Sequence, residues 1–319
     1  MEGGSFKSME GGPERGPESK EQEPKQITRV ILELMRHGKR ERGKTVEEEA
    51  NPNLRLTPEG RAQVTEHGKT VDPQPEVAMG MGSSRVRTQE TAYRVMLANE
   101  DISPDDSLEV IEAKVAEQVH YGKKMLVDDR LGFTDEGPIG PDGVKAYMEK
   151  RYLPWAMNDS DRDAIEKGDE KSSTYTRMAG NVAEIVARYA TVGNNFQRIV
   201  ARDTEGKYEE TGNQLERYLG THMGIAECFT AKVLETVKGV EAKDKFVQSI
   251  GSGFLEAEGV RIEIVNTGMD QTIVLTYTIK DAEQGDRKES VQFGREVLAK
   301  IIDDRKAFET LVTTANQQE

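Results

Sequence analysis

Cysteine is almost missing from this sequence: Cys228 stands alone among 319 residues, so no disulfide can form within the chain. Long apolar runs are missing too. No stretch reads as a secretory signal or a membrane span, so the chain is expected to be soluble and cytoplasmic, with no membrane partner. Positive charge is in short supply. The 44 Lys and Arg against 58 Asp and Glu leave a formal net charge of −14. Affinity for nucleic acids and anionic membranes begins with neutralising phosphates by Lys and Arg, so nucleic acid is not expected as a partner. A local basic cleft can still capture a small anion, because distant charges are screened within about 10 Å.

Histidine is scarce as well, with four in the chain. His67, on a helical stretch, and His120, near a loop, show no metal-ligand spacing and read as surface or structural residues. Asp159, Asp161 and Asp163 with Glu170 echo a calcium-loop spacing, but Ala164 stands where the sharp turn demands Gly. An acid-rich helix start accounts for those carboxylates better. Neither a metal nor a cofactor is expected.

Residues 1–26 are rich in Gly, Glu, Pro, Ser and Lys and predict a disordered tail, because so few apolar side chains cannot offset the chain entropy lost on folding. Order is expected from about Thr28, where Val30, Ile31, Leu32, Leu34 and Met35 form a run typical of a strand buried on both faces. Thr57-Pro58-Glu59-Gly60 predicts a helix start running to about Lys69. A second short strand follows at Val77 to Gly82, then a helix from Gln89 to about Ala98. Gln214 to Thr221 predicts another strand, with a helix from about Ile225 to Val237. Arg261 to Val265 and Thr272 to Ile279 alternate like paired strands, and a final amphipathic helix is read from Ser290 to Leu311.

The alternation of strand and helix predicts an α/β fold, a three-layer sandwich with a central, mostly parallel sheet and helices on both faces. One domain is expected over residues 27–312, with a helical cap inserted at about 122–190 and a frayed end at 313–319. In the cap, Tyr147, Tyr152 and Trp155 read as packing residues or as pocket lining.

Open α/β sheets bind ligands beyond the carboxyl ends of their strands. Arg36-His37-Gly38 ends the first strand, Ser83-Ser84-Arg85-Val86-Arg87-Thr88 ends the second, and His222-Met223-Gly224 follows the strand closing at Thr221. Arginine supplies forked donors for phosphoryl oxygens, and a histidine can act as the nucleophile. Arg40 and Arg42 follow the first loop closely. Alone, a His before a Gly reads as a turn residue, and Arg85 as a solvated surface charge.

Four stretches in order change that reading. Arg36-His37-Gly38, Leu56 to Gln63, Ser83 to Ala92 and Thr221-His222-Met223-Gly224 resemble the motifs of the histidine phosphatase superfamily, which includes phosphoglycerate mutases, acid phosphatases and phosphohistidine phosphatases. The resemblance spans residues 28–237. It implies that His37 becomes phosphorylated and that Arg36, Arg87 and His222 bind phosphoryl oxygens. Arg87 fits better than Arg85 because the family arginine stands four residues before a Thr, here Thr91. Arg40 matches an arginine of the acid-phosphatase branch and is taken as phosphate-binding, although the Pro that usually follows is replaced by Arg42.

The same resemblance assigns the proton donor to Glu117, which precedes Tyr121-Gly122 with a spacing one residue off, and places Glu112 and Glu227 behind it. The acid-phosphatase branch has its acid directly after the second histidine, where this chain has Met223. The implied activity is metal-independent hydrolysis of a phosphomonoester, borne on a small molecule or a phosphoprotein. A phosphomutase and a non-catalytic binder of a phosphate ligand are the alternatives.

Overall fold

The computed structural model describes residues 27–45, 48–49, 51–74, 76–118, 125–280 and 285–317. The expected tail at 1–26, His120 and the Tyr121-Gly122 pair lie outside the described residues.

Strand β1 (Ile27–Arg36) begins the ordered fold. Its Val30, Leu32 and Leu34 join one core cluster, while Met35 joins a second. Burial on both faces is why the run is continuously apolar instead of alternating. Helix α1 (Pro58–Val71) starts as its sequence predicts, with the Thr57 hydroxyl accepting the Gly60 amide at 3.1 Å and Pro58 in the first turn. Strand β2 (Ala78–Gly82) leads into α2 (Val86–Met96) and then α3 (Leu108–Gln118).

A short strand β3 (Met125–Val127) and a single 3-10 turn (Asp129–Leu131) precede three short helices, α4 (Gly140–Met148), α5 (Tyr152–Asn158) and α6 (Ser160–Glu166). The long α7 (Tyr175–Val200) follows. Next come β4 (Gln214–Thr221), α8 (Ile225–Lys238) and α9 (Val240–Ile250). The chain closes with β5 (Gly259–Thr267), β6 (Asp270–Ile279), β7 (Arg287–Phe293) and α10 (Arg295–Asn316).

All seven strands form one sheet in the order β3-β2-β4-β1-β5-β6-β7. The first four run parallel, β2 pairing with β3 and β4, and β4 with β1. From β1 outward the pairing turns antiparallel through β5, β6 and β7. The core of the sheet is therefore parallel, and the paired strands read around residues 261–265 and 272–279 extend it antiparallel from β1.

Two readings shift. The stretch taken as the end of the cap belongs to α7, whose Val182, Ala183 and Val186 share the cluster of Val30 and Leu32. Ser290 lies in β7, and the last helix starts only at Arg295, after Gly294. Within β7, Val291 and Phe293 are buried while Lys288, Ser290 and Gln292 are exposed, a period of two that the apolar helix behind it had masked. Among the described residues no helix is long and apolar enough to cross a membrane.

Candidate active site

Parallel strands β1, β2 and β4 bring their carboxyl ends side by side, Arg36 pairing in register with Thr221 and Gly82 with Gly220. The first loop is anchored at once, because the His37 amide donates to the Thr221 carbonyl at 2.9 Å. The His37 side chain is buried, and its Nδ1 lies 2.8 Å from the Gly38 carbonyl. A carbonyl oxygen only accepts, so Nδ1 carries the proton and Nε2 keeps its lone pair. The Gly38 amide in turn donates to the Thr91 hydroxyl at 3.3 Å, and that hydroxyl donates to the Arg87 carbonyl at 2.8 Å.

Arg87 sits in the first turn of α2 and is 5% exposed. What lets α2 press this close to the sheet is Gly220, where a Cβ would stand 1.9 Å from the Thr88 carbonyl oxygen. Only a residue without a side chain fits there. His222, one residue beyond β4, is buried with its ring centroid 5.3 Å from that of His37, edge to face at 73°. Its Nε2 lies 3.1 Å from the Ser83 hydroxyl, which also stands 3.1 Å from the Thr88 hydroxyl.

Arg36 donates from Nη1 to the Phe254 carbonyl at 2.9 Å, leaving its buried Nε without a partner among the described residues. Arg87 leaves both Nε and Nη1 buried in the same condition. Buried donors of a cation are costly to leave unpaired, so these nitrogens are chemically suited to an anion.

The electrostatics agree. Burial, then the Arg87 charge, lowers the His37 pKa to about 3 against the pull of the Gly38 carbonyl. Burial, then His37 and Arg87, holds His222 well below its ordinary value. Burial and the charges of Arg85 and Arg40 lower Arg87 to about 9, which still leaves a cation at neutral pH. Burial and the neighbouring arginine charges thus favour the neutral form of both rings.

Of the remaining predicted residues, Arg40 lies close enough for its charge to act on both rings, but its guanidinium is bound to Glu49 and to the Glu41 carbonyl. Glu117 and Glu112 are exposed on α3, and among the described residues no hydrogen bond ties either to His37, Arg87 or His222. Glu227 is fully buried, and both its oxygens are taken: one accepts the Gly224 amide at 2.9 Å, the other the Phe254 amide at 3.0 Å. It braces two site loops. Tyr152 and Trp155 pack in the core, whereas Tyr147 is exposed.

The sequence reading gave no role to Ser83, Phe254 or Glu90. Glu90 is completely buried and gathers Arg55, Arg61 and Arg94 together with the Leu56 amide, which ties the start of α1 to α2. Its place three residues after Arg87 in the second arginine stretch was the available signal.

No family model and no curated protein matches the chain. Among solved structures it is similar to one named Mycobacterial hydrolase 2, at 14% identity and a TM-score of 0.43 over 88% of this chain and 98% of that one. A mycobacterial glucosyl-3-phosphoglycerate phosphatase is similar at 14% identity and a TM-score of 0.40, over 75% and 90% of the two chains. A phosphoglycerate mutase from Bacillus anthracis is similar at 14% identity and 0.39, over 86% and 98%. In the order of its motifs, three of which lie at the ends of adjacent parallel strands, the chain resembles the histidine phosphatase superfamily.

Proposed function

We propose that this chain is a phosphatase of the histidine phosphatase type that hydrolyses a phosphomonoester through a phosphohistidine at His37. The observation that carries the reading is the set of buried guanidinium nitrogens left without partners, Nε of Arg36 and Nε and Nη1 of Arg87, beside a neutral imidazole held in one tautomer. Donors fixed in advance around developing phosphoryl charge supply most of the catalysis in such transfers.

In this reading the phosphoryl oxygens lie against Arg36, Arg87 and His222. The lone pair of His37 Nε2 forms a bond to phosphorus while the bond to the ester oxygen breaks. Glu117 gives its proton to the departing oxygen. A water then attacks phosphorus, its proton passes to the Glu117 carboxylate, and the N–P bond electrons return to Nε2. Ser83 holds the His222 ring, and helices α4–α6 form the cap of a three-layer fold.

Two measurements test it. His37→Ala abolishes turnover of an aryl phosphate, and the wild type briefly carries a radiolabelled phosphoryl group that the variant does not. Full activity in the variant overturns the mechanism; label trapped on the wild type excludes a purely binding role.

A further inference from the structure

Beside the phosphoryl pocket lies a second cluster of cations, and it is already occupied. Glu49 projects one carboxylate into a cradle of three donors. Arg40 Nη2 and Arg42 Nη1 both donate to its Oε1, the latter at 3.1 Å, and the Gly43 amide donates to Oε2 at 2.7 Å. Two guanidinium groups and a backbone amide converging on both oxygens of one planar anion make a recognition geometry.

We propose that the Glu49 carboxylate occupies the place of a second anionic group of the substrate, so that Arg40, Arg42 and the Gly43 amide form an anion subsite. The substrate is then a phosphomonoester that carries a carboxylate or a second phosphate. This rests on the phosphoryl site assigned above.

The charges couple the two places. Glu49 acts on Arg87, and Arg40 acts on His37. A phosphoryl group arriving between Arg36 and Arg87 brings negative charge toward Glu49, and like charges at short range in a partly buried site repel by several times what they would in water. Glu49 is 36% exposed at its side chain and can turn out to solvent, whereas Arg40 is 16% exposed and needs an anion in its place. A ligand with one acidic group displaces Glu49 without replacing it. A ligand with two restores the pairing of both arginines.

The experiment is calorimetric titration of the full chain with methylphosphonate, phosphonopropionate and propane bisphosphonate, none of which is turned over. Phosphonopropionate is expected to bind roughly tenfold more tightly than methylphosphonate, the gain of one charge-assisted contact. A still tighter bisphosphonate identifies the second group as phosphate, and a weaker one identifies it as carboxylate. Arg42→Gln, at a side chain 63% exposed and harmless to the fold, shrinks that preference, and Glu49→Gln tightens methylphosphonate. Equal affinities in the wild type, or a preference unchanged by Arg42→Gln, overturn the subsite while leaving the phosphoryl site intact. Failure of methylphosphonate itself to bind overturns both.

Discussion

Glu227 and Phe254 are joined by a 3.0 Å hydrogen bond from the Phe254 amide, while the carbonyl of the same Phe254 accepts from Arg36 at 2.9 Å. A buried carboxylate thereby sets, through Phe254, where the Arg36 guanidinium points. Because its other oxygen accepts the Gly224 amide, it couples the Arg36 side of the crevice to the turn after His222.

Glu227→Gln keeps the shape but leaves one of two buried amides facing an NH2 group. The expected cost is about 1–3 kcal/mol of unfolding free energy, the usual penalty for an unpaired buried donor. Urea denaturation measures it, and phosphate affinity falls with it; unchanged stability refutes the bracing role.

Arg87→Lys retains the charge and loses the fork. Phosphate affinity is expected to fall by roughly tenfold or more, since a lysine presents a point charge where the guanidinium offers two donors. Titration with inorganic phosphate reads this directly, and an unchanged dissociation constant removes Arg87 from the site.

The histidines make acid conditions unfavourable. Both rings have folded pKa values below the unfolded value near 6.5, His37 at about 3, so the unfolded chain binds more protons between those limits. Stability contributed by these rings is therefore full above about pH 6.5 and lost as the pH falls toward 3. Nitrogen NMR of the labelled protein at pH 5 should show His37 neutral, protonated at Nδ1. An imidazolium signal there contradicts the proposed nucleophile.

Gly220→Ala tests the close approach of α2 to the sheet. A methyl 1.9 Å from the Thr88 carbonyl cannot be accommodated without moving the helix that carries Arg87, at a typical overpacking cost of about 1–3 kcal/mol. A thermal melt and a phosphate titration should both deteriorate, and a variant as stable as the wild type would show that α2 is not seated by this contact.

The end of β1 was readable because burial on both faces leaves a nearly continuous apolar run, and the three loops that follow β1, β2 and β4 carry the cations and histidines. Thr57 and Pro58 gave the start of α1 by local chemistry alone. Contacts made across the chain were invisible. Arg36 reaches Phe254 over 218 residues, and nothing in the Gly251-Ser252-Gly253 turn announces that its neighbour belongs to the site. Glu49 was hidden differently, as one acid among 58. Glu227 read as a spare proton donor because composition cannot reveal that both oxygens are engaged.

Beside β1, β5 runs the opposite way, its Gly259 pairing with Met35. The chain therefore enters β5 at the very rim where the parallel strands finish, which is how Phe254 comes within reach of Arg36. The length of the connection between α9 and β5 becomes a tuning element. Adding or deleting a single residue there would shift the Phe254 carbonyl and with it the Arg36 guanidinium, with no change to either side chain.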